Sequence, residues 1–139
     1  MSVRYGVAER NALCAAWAAT IGGAPKIRVY SGTPPAALTT LPAGADLLVE
    51  FTLAAGTGWH TTPANGVIAL EPSTLPLQAA AGNSGTATYY RIYDSAGAVC
   101  HEQGTVDDTG GPDALIDTQT IASGQNVRIT SWSKTAPGA

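Results

Sequence analysis

Residues 86–106, TATYYRIYDSAGAVCHEQGTV, contain two strand-favouring runs joined by Asp94-Ser95-Ala96-Gly97. Asp suits the first position of a type I turn, where its carboxylate accepts a backbone N–H, and Gly suits the fourth, where a positive φ costs least. The expectation is a three-residue hairpin with a glycine bulge. Strand alternation then sets Tyr90 and Ile92 on one face and Tyr89, Arg91 and Tyr93 on the other. A face of Tyr-Arg-Tyr is not an ordinary solvated one, and its use is the main functional question of the sequence.

Outward from the hairpin, short strands recur at turn-separated intervals. Residues 26–30 direct Ile27 and Val29 inward and Lys26, Arg28 and Tyr30 outward. They run into the rigid segment Ser31-Gly32-Thr33-Pro34-Pro35. Residues 46–53 alternate with Leu47, Val49, Phe51 and Leu53 on one side, Leu48 being the exception. Residues 54–66 read as a long Gly/Thr loop carrying Trp59 and His60. The short apolar runs 67–70 and 75–79 are separated by Pro72 and Pro76, which suit edge strands and disfavour a central place. Residues 107–112 read as an acidic, Gly-rich loop, and 115–120 as a weak strand. In 127–133 Val127 and Ile129 point inward, with Arg128, Thr130 and Trp132 outward. Residues 134–139 read as a short, loose tail.

Before the strands, Leu13, Trp17 and Ile21 fall at helical spacing within residues 7–21, and Gly22-Gly23 followed by Pro25 stops the helix. Trp17 is the expected anchor of this amphipathic helix on the β core. The predicted fold is mainly β: a two-sheet antiparallel β-sandwich of jelly-roll or immunoglobulin-like type over 26–133, with one N-terminal helix, in a single domain spanning 1–139.

Composition agrees. Of 139 residues only 12% are charged, and nine prolines are spread through the loops, as in a short-stranded, turn-rich protein. The length suffices for a sizeable core without disulfides or metal. A net charge of −3 argues against a nucleic-acid partner, which calls for a concentrated basic surface. Cys14 and Cys100 lack any C-x-x-C spacing and read as small buried apolar residues. No stretch is long and apolar enough for a membrane span. Glu9 and Asn11 interrupt what could otherwise pass for a leader peptide, so no cleaved signal is expected.

Chemistry-bearing patterns are sparse. His60 and His101 lack metal-ligand spacing, and Asp107, Asp108, Asp113 and Asp117 miss the calcium-loop pattern, so neither a metal nor another cofactor is expected. Nucleophile-elbow, phosphate-loop and nucleotide fingerprints are missing, and the chain is not expected to be an enzyme. What remains is a candidate partner-binding set on the faces assigned outward: Arg28, Tyr30, Tyr89, Arg91, Tyr93, Arg128 and Trp132. If their strands share a sheet, they form an Arg/Tyr/Trp surface with the composition of interface hot spots. If the strands belong to different sheets, each arginine simply covers its neighbours with its stem. A carbohydrate-binding module built on Trp59 or Trp132 is the alternative from another class.

The segments Arg28-Val29-Tyr30-Ser31-Gly32-Thr33-Pro34-Pro35, Arg91-Ile92-Tyr93-Asp94-Ser95-Ala96-Gly97, Gln103-Gly104-Thr105-Val106 and Ile121-Ala122-Ser123-Gly124-Gln125 matter together. In that order and spacing they resemble a family of small proteins encoded in the structural-gene regions of tailed bacteriophages and prophages. The similarity runs from about residue 11 to residue 132. It implies a virion component with no catalytic residues, assembled in the host cytoplasm. The expected role is a capsid decoration or cement protein, with a neck or tail component as the rival. Its expected partners are the major capsid protein or other virion subunits, met in many symmetry copies or as a homo-oligomer.

Overall fold

The computed structural model describes residues 3–53, 59–109 and 114–139. Helix α1 spans Val7–Ile21, followed by β1 (Lys26–Ser31), β2 (Leu47–Thr52), β3 (Val67–Ala69), β4 (Leu77–Ala80) and β5 (Gly85–Tyr93). Next come β6 (Cys100–Asp107), β7 (Ala114–Ile116), β8 (Thr120–Ile121) and β9 (Asn126–Thr135).

The predicted mainly β fold with one N-terminal helix is present, and the arrangement of strands differs from a sandwich. The nine strands of the described residues join one hydrogen-bonded sheet in the order β2-β1-β5-β6-β7-β9-β3, with β4 also on β9 and β8 also on β5. The β6–β7 pair is parallel and the others are antiparallel, so the sheet is mixed. It curls until Gly82, just beyond β4, donates to the Leu48 carbonyl on β2 at 2.8 Å. Right-handed strand twist accumulated over this path, sharpened by bulges, is the physical source of such curling. The core lies on the concave side, where Ile27, Phe51, Ile92, Ile116, Val127 and Ile129 are buried.

The hairpin forms around the anticipated turn. Gly97 has φ +72°, its N–H bonds the Asp94 carbonyl at 2.9 Å, and Asp94 Oδ1 accepts the Ala98 N–H at 2.9 Å. The Asp94 N–H reaches the Val99 carbonyl at 3.1 Å, so four residues rather than three lie between the paired ends. Opposite Tyr90 stands Gly104, where a Cβ would come within 2.6 Å of the tyrosine ring. Glycine there is a steric requirement.

Helix α1 ends at Gly22 as its sequence implies, with φ +85° and an N–H bonded to the Ala18 carbonyl. Its buried face is Arg10, Cys14, Ala18 and Ile21, while Leu13 is 46% exposed. The stripe is therefore centred one residue beyond Leu13. The cause is polar: Arg10 Nε and Nη2 donate to the Ala136 carbonyl at 3.3 and 3.1 Å, and Nη1 donates to the Asn65 carbonyl at 3.3 Å. Asn11 Oδ1 also accepts the Gly66 N–H at 2.8 Å. These bonds set the helix rotation that apolar spacing left open.

The predicted loose tail is instead docked. Strand β9 runs to Thr135, the buried Ala136 donates to the Gly66 carbonyl at 2.7 Å, and Gly138 accepts the Tyr5 N–H at 2.7 Å. Both cysteines are free; Cys14 is buried and Cys100 is half-buried.

Candidate functional site

The register of β1 against β5 places Arg28 opposite Arg91, Tyr30 opposite Tyr89 and Lys26 opposite Tyr93. Five of the seven candidate residues therefore do share one sheet face, the convex side of β1-β5-β6. Like charges directly opposite one another are unfavourable, and the two arginines are held apart by different partners. Arg28 Nε donates to Glu50 on β2 at 2.6 Å, and its guanidinium lies 4.4 Å from the centre of the Tyr93 ring. Burial works against the Arg28 charge, and the Glu50 pairing outweighs it, leaving the pKa above its ordinary value. Arg91 Nε turns the other way, to Gln103 Oε1 on β6 at 2.9 Å.

The outward assignment of this face is corrected by what covers it. The segment 32–46, joining β1 to β2, crosses the face as a strap. Arg91 Nη1 donates to the Leu38 carbonyl at 3.4 Å and to the Tyr93 hydroxyl at 3.3 Å, and Nη2 donates to the Ala37 carbonyl at 3.3 Å. Gln103 Nε2 donates to the Pro35 carbonyl at 3.0 Å, and Thr88 Oγ1 to the Gly32 carbonyl at 2.6 Å. Beneath the strap Arg91 is 0% exposed, and Tyr30, Tyr89 and Tyr93 are buried. Tyr30 and Tyr89 stack with ring centres 5.1 Å apart. Burial, reinforced by a Tyr93 hydrogen bond, pushes the Tyr30 phenol far up, and burial raises that of Tyr89. Arg28 alone of the five remains half-buried rather than buried.

Arg128 and Trp132 lie elsewhere, on β9. Arg128 is exposed as expected. Trp132 is 2% exposed, and the inversion has a local cause: Ile116 pairs with Ile129 and Leu115 with Ser131, so Thr130 is an extra residue. A bulge there shifts the alternation by one, and side chains beyond it change faces. Inside, Trp132 stacks on Trp17 with centres 5.3 Å apart. Its Nε1 donates to the Tyr90 hydroxyl at 3.1 Å; Tyr90 in turn bonds Glu102 Oε2 at 3.0 Å, and the other oxygen of Glu102 accepts from Lys134. Trp59 is also buried, its Nε1 bonded to the Gly22 carbonyl at 2.9 Å. Neither tryptophan offers the exposed platform that motivated a sugar-binding reading.

His60 and His101 stay separate, and among the described residues no three His, Cys, Asp or Glu side chains gather as a metal ion requires. Asp107 caps its own loop, accepting from Asp108 N, Thr109 N and Thr109 Oγ1, which holds its pKa below the ordinary carboxylate range. Asp117 Oδ1 accepts the Arg128 N–H. Asp113 and residues 54–58 lie outside the described residues. No helix among the described residues is long and apolar enough to cross a membrane.

Sequence reading missed the outer surface of α1. Tyr5 and Leu13 are exposed there and share a depression with Glu9, Ala12 and Pro137, beside a groove of about 140 Å³ lined by Leu13, Cys14, Trp17, Lys134, Ala136 and Pro137. A signal existed: α1 carries only Glu9 and Arg10 as charges, and Arg10 points inward. A second apolar group, Leu38, Leu41 and Val99, is exposed where the strap meets the hairpin tip.

No protein-family model, curated protein or solved structure matches the chain.

Proposed function

We propose that the chain is a structural attachment subunit of a tailed-phage virion, specifically a capsid decoration or cement protein that acts by buried area rather than by chemistry. Two lines support this reading. The first is the resemblance carried by the four segments around Arg28, Arg91, Gln103 and Ile121. The second, which carries the attachment itself, is the apolar depression beside α1 lined by the exposed Tyr5 and Leu13 with Ala12 and Pro137, where Glu9 is the sole charge in the lining. Such a surface marks a contact with protein when it is contiguous and rimmed by polar groups. A standard interface takes about 800 Å² from each partner. That is about one-ninth of the 7068 Å² surface of this chain, and many symmetry copies add avidity.

Imaging of labelled protein added to undecorated particles tests the reading. Copies distributed over the whole shell are expected. Signal confined to one vertex or to the tail would reassign the chain to the neck or tail, and absence of any particle-bound signal would overturn a virion role.

A further inference from the structure

Arg91 is a fully buried cation whose acceptors are all neutral: Gln103 Oε1, the Tyr93 hydroxyl and the Ala37 and Leu38 carbonyls. Guanidinium groups stay charged in proteins. Of the acids near this layer, Glu50 pairs with Arg28 and Lys26, Asp94 binds turn amides, and Asp46, whose charge acts on Tyr89, forms no ion pair with Arg91. Among the described residues no carboxylate forms an ion pair with Arg91. Burying a charge without a counter-charge is costly, and neutral acceptors offset only part of that cost.

The two strap carbonyls lie on the two terminal nitrogens of Arg91, at 3.3 and 3.4 Å. In one of the two ways a carboxylate pairs with arginine through both oxygens it sits on these two nitrogens, at shorter distances and with about twice the strength of neutral bonds, and the other way is blocked here because Gln103 takes Nε. Ala37 and Leu38 thus stand where a carboxylate would sit.

The strap is held by its backbone. Thr33, Pro34 and residues 36 to 41 are all exposed, so the strap is held through its backbone carbonyls rather than its side chains, and a segment that takes its place must offer the same acceptors and cover Tyr30, Tyr89 and Tyr93 again. Gly32, with φ +83°, and Gly44 bracket it. The strap that covers the stacked Tyr30 and Tyr89 itself carries Pro34-Pro35, so a segment taking its place would be extended and proline-bearing in the same way.

We propose that Arg91 is the receptor for a carboxylate on an extended, proline-bearing segment of another protein subunit, and that residues 33–43 are an intramolecular stand-in which this segment displaces. Charge complementarity selects the segment, because an acidic one relieves an unpaired buried cation whereas the strap cannot. The inference rests on the attachment reading only for where the segment comes from.

The test uses the full chain and two synthetic peptides of residues 32–38, one with a free C-terminal carboxylate and one with a C-terminal amide. In the acid peptide the terminal carboxylate falls at the Leu38 carbonyl position. Binding is followed by ¹H–¹⁵N NMR at the Arg91 Nε–H and at the Ala37 and Leu38 amides. The acid peptide is expected to bind about tenfold or more tightly than the amide, since paired charge-assisted bonds replace two neutral ones. Arg91→Lys, which lacks the fork, should lose most of that preference. Equal affinities, or binding that leaves the Arg91 resonance unmoved, overturn the proposal; the wild-type comparison decides even if Arg91→Lys fails to fold. Particle decoration without peptide discrimination would overturn this inference alone. Peptide discrimination without decoration would uphold it and overturn the virion reading.

Discussion

The indole N–H of Trp132 reaches the hydroxyl of Tyr90 at 3.1 Å, and through it the barely exposed carboxylate of Glu102 is joined to the tryptophan cluster under helix α1. The bond ties β9 to β5 across the interior of the curled sheet, between strands that are not neighbours in the hydrogen-bonding order.

Tyr90→Phe removes one oxygen and leaves the ring volume unchanged. It takes a partner from the Trp132 N–H and from Glu102, and depriving buried polar groups in this way costs about 1–3 kcal/mol. Urea unfolding should show a lower midpoint with an unchanged slope. A midpoint equal to wild type would mean that the hydroxyl is not a structural link.

Arg91→Ala and Arg128→Ala should separate sharply, although both arginines sit on strands and both look outward by alternation. Arg128 is exposed, and its loss should stay within about 0.5 kcal/mol. Loss of Arg91 removes four side-chain bonds, including two of those that pin the strap, and should cost about 3 kcal/mol or more, as large effects of buried-network loss do. Thermal denaturation of the pair is the check, and similar melting temperatures would contradict the covered face.

Trp17→Ala should destabilise by about 2–3 kcal/mol, less than the value for a fully buried aromatic because Trp17 is only half-buried. Trp17 stacks on Trp132 and meets Trp59 edge-on at 6.0 Å, so the emission of the two remaining tryptophans should shift as well. Unaltered emission together with an unaltered melting temperature would show that the helix does not pack on this core.

Gly97→Val places a β-branched residue at φ +72°, and its Cβ would come within 2.6 Å of Arg28 Nη2, which Glu50 and Tyr93 hold in place. A cost of about 2 kcal/mol or more is expected from the strained backbone alone. Gly97→Asn, better suited to a positive φ, should be milder. Equal effects from the two would point to crowding at Arg28 rather than to the backbone.

Asp94 is held below the ordinary carboxylate range chiefly by the Ala98 and Val99 N–H groups. Its folded pKa is therefore below its unfolded one. The contribution is present above the unfolded value, near pH 4, and is lost as the pH falls through the folded value. Asp94→Asn should flatten the decline in stability as the pH falls below about 4, read as unfolding midpoints at successively lower pH. An unchanged pH profile would remove the turn carboxylate from the acid response.

Chain-local physics made much of this protein legible from its residues. Alternation located most strands, Gly22 ended the helix, and Asp94 with Gly97 specified a turn, because each depends on neighbours a few positions away. Alternation also grouped Tyr89, Arg91 and Tyr93 correctly on one face. It could not say that the face is covered, because the cover comes from residues 35, 37 and 38, offered as backbone carbonyls that carry no signature in side-chain type. Nor could it place Trp132: the bulge at Thr130 arises from pairing with β7, and one extra residue inverts everything beyond it. Helix rotation followed the same logic, since Arg10 is drawn inward by the carbonyls of Asn65 and Ala136, far away in the chain. The sequence by itself determined which segments form strands, helix and turns, because those choices are made by local sterics and hydrophobic period. Only the tertiary structure decided which faces meet water and that one sheet curls instead of two sheets stacking, because both depend on long-range backbone pairing that any residue type can supply.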